Sequence, residues 1–280
     1  MAHPQIAVFA RLADGNDARV RAIEGQATLL GRTMHAIAYD PVHDEIVVPQ
    51  QFGQGILTFR GAASGEEPPI RVIRGPRTQL IALDRLAVDP VNDEIYVPEG
   101  EKVLVFPREA NGDVAPIRVL AGPDTRIHAA RSVAIDPVRN LLVVASTPPR
   151  GRRESGGGDS SEEGGAGRNN ELTIFERTAS GNARPLRVIT GLGSSWNIAL
   201  YPERGLIFVV QRGYVGVWHV DDNGPVPPRF TIGGPKGVLQ EPRGVTIDVK
   251  HRAVIVSDKQ LNAVLTFDVP QLFETTEARR

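Results

Sequence analysis

The sequence predicts an all-β protein assembled from one repeated four-stranded unit. Three observations carry that expectation: a pattern recurring roughly every 47 residues along nearly the whole chain, short β-rich runs without helical periodicity, and Gly- and Pro-marked turns at fixed offsets between them.

Each copy holds an alternating run that ends on an aromatic residue: Ile6-Ala7-Val8-Phe9, Ile56-Leu57-Thr58-Phe59, Val103-Leu104-Val105-Phe106, Leu172-Thr173-Ile174-Phe175, Val215-Gly216-Val217-Trp218 and Val264-Leu265-Thr266-Phe267. A turn follows the first five, marked by Gly15, Gly65, Gly112, Gly181 and Gly224, where glycine supplies the positive φ of a tight connection. Next comes an outer strand, Arg71-Val72-Ile73, Arg118-Val119-Leu120 or Arg187-Val188-Ile189, with Arg21-Ala22-Ile23 and Phe230-Thr231-Ile232 as looser copies. Arginine at one register predicts a solvated cationic face that blunts an exposed edge.

After a loop of about ten residues the innermost strand begins. It reads Ala36-Ile37-Ala38-Tyr39-Asp40-Pro41, Leu86-Ala87-Val88-Asp89-Pro90 and Val133-Ala134-Ile135-Asp136-Pro137, with Ile198-Ala199-Leu200-Tyr201-Pro202 and Val245-Thr246-Ile247-Asp248-Val249 as departures. Small residues at Ala38, Ala87, Ala134 and Ala199 suit the crowding near an axis, and the Asp-Pro pairs read as turn chemistry rather than catalysis. The remaining strand starts at Glu45, Glu94, Leu141, Leu206 and Ala253.

Four strands per period give one antiparallel blade per repeat, so the fold class is a single β-propeller spanning residues 1–280. The strand tally favours five blades, with six as the alternative, and a closing blade that draws on both chain termini. In the five-blade arrangement one terminal strand is spare and free to pair with another molecule. Residues 147–170, rich in Gly, Ser, Glu and Arg, interrupt the third repeat and are expected to form a flexible surface loop, with a lid as the sharper reading.

The order strand, turn, strand, loop, strand, strand resembles NHL-type propeller repeats, in the bacterial variety with aromatic-ended strands before an Asn-Gly turn. The resemblance implies a propeller fold and leaves function open, because such propellers serve as scaffolds, binders, lyases and lactonases.

The bulk composition excludes several classes. A net charge of −1 over 280 residues argues against a nucleic-acid partner held by phosphate neutralisation. The absence of cysteine removes thiolate metal sites and thiol catalysis. No apolar stretch is long enough for a membrane span, so no membrane partner is expected. As written the chain reads as cytoplasmic, and as secreted or periplasmic if a leader has been removed.

Candidate site residues come from where the repeats disagree. Ahead of the Asp position on the innermost strands stand His35, Asp84, Arg85, Arg131, Trp196, Asn197 and Arg243, which the ring geometry should gather at one channel mouth as a ligand-binding site. The second strands end near the same face at Gln50, Glu99, Ser146, Gln211 and Asp258. Arginine forks there suit an anion and Trp196 suits a ring or sugar, so the expected partner is a small anionic or carbohydrate-like ligand or a protein. Ion pairing of the arginines by Asp84 and Glu99 is the competing account.

The six histidines lack a His-x-x-x-His spacing, and no cofactor or metal is expected; only His35 with His128 merits a test. Asp221-Asp222-Asn223-Gly224 is acidic enough to suggest calcium but lacks a downstream glutamate. The leading expectation is therefore a non-catalytic binding or scaffold propeller. The alternative is a lyase or lactone hydrolase at the same mouth, using an acid/base pair near His35, Asp84 and His128.

Overall fold

The structure is a computed structural model, and it describes residues 4–32, 34–147 and 170–274. The expected loop at 147–170 falls almost wholly outside these residues.

Among the described residues every regular element apart from five single-turn 3-10 helices is a β-strand. The first blade of the β-propeller contains β3 (Ala38–Asp40), β4 (Glu45–Gln50), β5 (Gly55–Arg60) and β6 (Arg71–Arg74), preceded by a separate pair, β1 (Gln5–Val8) and β2 (Arg21–Glu24). The second blade runs β7 (Ala87–Asp89), β8 (Glu94–Glu99), β9 (Lys102–Pro107) and β10 (Arg118–Ala121). The third has β11 (Ala130–Asp136), β12 (Leu141–Ser146), β13 (Asn170–Glu176) and β14 (Arg187–Leu192), and the fourth β15 (Ile198–Tyr201), β16 (Leu206–Gln211), β17 (Tyr214–His219) and β18 (Phe230–Gly233). The fifth has three strands, β19 (Pro242–Asp248), β20 (Ala253–Asp258) and β21 (Ala263–Asp268). Five blades is the count the sequence favours. The pair β1–β2 and the sheet β19–β21 are separate sheets, so a blade shared by both termini is not among the observed pairings.

The described chain falls into two compact units, residues 1–99 with 103–119, and residues 100–102 with 120–280. In the first, β3 lies against β7; in the second, β11 lies against β15 and β15 against β19, so the innermost strands of successive blades lie side by side within each unit. Core formation follows from the alternation along each strand, because a blade has two apolar faces and buries each against a neighbour. Val47 and Ile56 of the first blade pack with Ile95, Leu104 and Phe106 of the second. Leu172 and Ile174 pack with Ile207, Val209 and Trp218, and Phe208, Val215 and Val217 with Val254, Val256 and Val245.

The Asp-Pro positions are structural, as expected. Asp40 accepts from the Val42 and His43 N–H groups at 2.9 and 3.1 Å, Asp89 from Val91 and Asn92 at 3.0 and 3.2 Å, and Asp136 from Val138 and Arg139 at 3.0 and 2.9 Å. Their second oxygens bind the side chain three residues on, His43 Nδ1, Asn92 Nδ2 or Arg139 Nη1. Asp248 repeats the arrangement with His251.

The outer-strand arginines depart from the solvated face that the sequence suggested. Arg71 pairs with Glu45, which also accepts from Arg108 of the next blade at 3.1 Å, and Arg118 donates two parallel hydrogen bonds to Glu94 at 2.7 and 2.6 Å. Glu45 and Glu94 are buried. The hydrogen bond to Glu94 raises the Arg118 pKa above its ordinary value, against the effect of burial. Buried carboxylates at the start of β4 and β8 draw the guanidinium groups inward, because a buried charge must be paired.

Two predictions follow from these turns and pairs. Asp136→Ala leaves the Val138 and Arg139 N–H groups without their acceptor and should destabilise the fold by about 2–3 kcal/mol, read as a lower urea midpoint at unchanged slope. Asp222 gives a pH-dependent case. Burial would raise its pKa, but hydrogen bonds from Arg229 and from the His219 N–H outweigh burial and hold it below the ordinary aspartate value. A carboxylate with a lowered folded pKa adds stability above its unfolded pKa of about 3.9 and loses it as pH falls through the folded value. Asp222→Asn should therefore flatten the acid limb of the urea midpoint below about pH 5 relative to the unsubstituted chain.

Candidate functional site

The candidate residues fall into two groups, one in each unit. In the first unit, the segment before β3 carries His35 and the segment before β7 carries Asp84 and Arg85. His35 Nδ1 hydrogen-bonds Asp84 Oδ1, and Arg85 Nη1 donates to Asp84 Oδ2. Arg85 is buried, whereas His35 is exposed and Asp84 half-exposed. Asp84 thus neutralises Arg85, one half of the expected ion pairing.

Glu99 does not supply the other half. Its carboxylate accepts from the backbone N–H groups of Ile81 and Ala82 at 3.0–3.2 Å, bracing the loop before β7. Asp258 does the same for Gln240 and Glu241 at 2.7 and 3.0 Å, and Gln50 accepts from the Gly53 N–H. The second-strand ends at Gln50, Glu99 and Asp258 therefore fasten loops.

In the second unit, β11 presents Arg131, the segment before β15 presents Trp196 and Asn197, and β19 presents Arg243. The Arg243 guanidinium sits 3.8 Å from the Trp196 ring centroid and that of Arg131 5.7 Å from it, both within cation–π range. Hydrogen bonds fix the platform: Trp196 N–H donates to the Val210 carbonyl at 3.3 Å, Asn197 Oδ1 accepts from Val245 N–H at 3.2 Å, and Ser132 Oγ accepts from Ile198 N–H at 3.3 Å. Asn197 is thus committed to the backbone through its oxygen.

The charges around Trp196 are unequal. Arg243 is paired with Glu241, which Lys259 also approaches at 3.8 Å, while no carboxylate pairs with Arg131 among the described residues. Chemically the arrangement offers an aromatic plane with a guanidinium whose donors are open to an oxyanion. Sequence reading missed Glu241, although it lies two residues before Arg243, because it sits outside the compared repeat positions.

Among the described residues no group of three or more His, Asp or Glu side chains could hold a metal ion. His128 takes part through its backbone, its carbonyl accepting from Thr147 N–H at 3.1 Å. The acidic turn that suggested calcium is occupied by protein: Asp222 binds Arg229 and His219 N–H, Asp221 pairs with Arg187 at 3.1 Å, and Asn223 Oδ1 accepts from Val188 N–H at 3.0 Å.

No family model matches the chain, and no curated protein matches it. Among solved structures, the chain is similar to a chain of the structure titled "Crystal structure of Nidogen/Laminin Complex", with a TM-score of 0.56 and 15% identity over 96% of this chain and 92% of that one. At that identity the likeness concerns the fold, a β-propeller.

Proposed function

We propose that residues 1–280 form one β-propeller domain of NHL-type repeats that acts as a non-catalytic binding scaffold, with the Arg131–Trp196–Arg243 stack as its contact site. The observation that carries this reading is the inequality at Trp196. Arg85 and Arg243 each have a carboxylate, whereas Arg131 stands over an indole ring with none among the described residues. A guanidinium held on an aromatic face is preorganised for a carboxylate from outside, and little side-chain entropy is lost when that carboxylate arrives. The partner class is a protein presenting an acidic side chain, or a small anionic or carbohydrate-like group of the same chemistry. The similar solved structure supports the protein-binding side of this reading, since its title names a complex. The His35–Asp84–Arg85 cluster contributes a second polar surface in its own unit.

Fluorescence supplies the test, because the chain has only two tryptophans and Trp218 is buried with its indole N–H bound to the Val226 carbonyl at 3.0 Å. In a Trp218→Phe background, an array of acidic peptides should include members that shift Trp196 emission saturably. Arg131→Ala should weaken that binding about tenfold, in the range of one charge-assisted contact. Binding that ignores Arg131→Ala, or an array with no binder, would refute the assignment.

A further inference from the structure

Among the described residues the fifth blade lacks what the other four blades have on their outer side, and the chain shows in repeated detail what fits there. In the first four blades the outward edge of the aromatic-ended strand is covered by an outer strand. In the first, Ile56 faces Ile73, Leu57 faces Val72 and Thr58 faces Arg71; in the third, Leu172 faces Ile189 and Ile174 faces Arg187. Among the described residues no strand pairs with the outward edge of β21.

Exposure agrees with this. The positions of Ile56, Val103, Leu172 and Val215 are fully buried, while Val264 in the same register is 71% exposed. Val47, Tyr96, Val143 and Phe208 are fully buried as well, and their counterpart Ile255 is only partly so.

The turn before each outer strand makes a second attachment, to the preceding blade. Gly65, Gly112, Gly181 and Gly224 bridge Ile23, Ile73, Leu120 and Ile189, with Gly112 N–H donating to the Val72 carbonyl at 2.7 Å and its carbonyl accepting from Arg74 N–H at 3.1 Å. The next turn residue then covers the glycine that ends the outer strand: Glu66 over Gly25, Asp113 over Gly75, Asn182 over Gly122 and Pro225 near Gly191. Its side-chain oxygen also accepts a backbone N–H, from Gln26, Arg77 and Asp124 in the three cases with an acceptor. For β18 both features are missing among the described residues. No glycine bridges Ile232, and nothing stands within 4 Å of the place a Cβ would take at Gly234. A cavity of about 670 Å³ opens there, between the Gly233–Gly237 loop, Val238 and Phe267 of β21.

We infer that β18 and β21 together receive one extended segment of another protein: a glycine-acid turn that seats over Gly234, followed by an Arg-Val-Ile-type strand that pairs antiparallel with β21. Charge fits that direction of chain. Lys236 holds the loop position of Arg77 and Asp124 and suits the acidic turn residue, and exposed Asp268 lies on the face of Thr266, opposite which the arginine falls. The outer strands β2, β6, β10 and β14 of a second copy are not free to supply the segment, because each has one edge paired in its sheet and the other bridged by a turn glycine. Main-chain hydrogen bonds give such strand addition its affinity and alternate side chains its selectivity.

The probe is a labelled peptide with the sequence of residues 64–74, Ser-Gly-Glu-Glu-Pro-Pro-Ile-Arg-Val-Ile-Arg, followed by fluorescence anisotropy on the full chain. Saturable binding is expected, weakened about tenfold or more by Val264→Lys and by Asp268→Arg, both at exposed positions. Replacing the isoleucine that follows the peptide's valine by proline should abolish it, because Ile73 is paired with Ile56 across the ladder whereas the Val72 N–H turns outward to Asn111 Oδ1. Phe52→Ser, at an apolar side chain 76% exposed in the other unit, should leave binding unchanged. Absence of binding, binding indifferent to both β21 substitutions, or a self-associating chain that Val264→Lys renders monomeric would each overturn the inference.

Discussion

Everything in this fold depends on one constraint: a twisted four-stranded sheet with two apolar faces is stable only when each face is buried against another sheet. Within each unit the repeat answers it by making consecutive blades interlock twice. Branched side chains such as Val47 and Ile56 fill the space against Ile95 and Leu104, and at the periphery a turn glycine docks on the preceding outer strand. The glycine is required there for a physical reason. Gly65, Gly112, Gly181 and Gly224 all have positive φ, and each must bring bare backbone within hydrogen-bond reach of a neighbouring strand.

The same economy explains why so many charged residues in the sequence have no chemistry to offer. The repeated aspartates spend both oxygens on the turn that follows them, and the repeated arginines are drawn to Glu45 and Glu94 beneath the outer strand. Glu99 and Asp258 hold loops by their backbone N–H groups. Polar residues that recur in register are thus consumed by the scaffold. Those that break register, Trp196 and Arg131 above all, are not consumed in this way: both are only partly buried, and no carboxylate pairs with Arg131 among the described residues.

The repeat made most of the architecture readable. Strand order, the aromatic ends, the turn glycines and the role of the Asp-Pro pairs all follow from matching one copy to the next. A further motif went unread: the short loop after the outer strand is Gly-x-x-Thr in the first three copies, where buried Thr28, Thr78 and Thr125 donate to the carbonyls of Gly25, Gly75 and Gly122 at 2.6–2.7 Å. Its signal is a single threonine at a fixed offset, too slight to notice without knowing that the segment forms a 3-10 turn. The arginines misled because edge position predicts solvation, whereas Glu45 and Glu94, distant in sequence, lie within bonding reach once the strands pair.

The sequence by itself determined the secondary structure, the blade and its register, since periodicity and glycine placement are local properties that every copy repeats. It also nominated the residues worth examining, because departure from a repeat is visible without coordinates. Only the tertiary structure decided which of them remain available. Whether Arg131 differs from Arg243, whether Glu99 neutralises a charge or ties a loop, and whether the fifth blade's outer edge is covered are all questions of which groups lie within about 3 Å of one another in space, and separation along the chain carries no information about that.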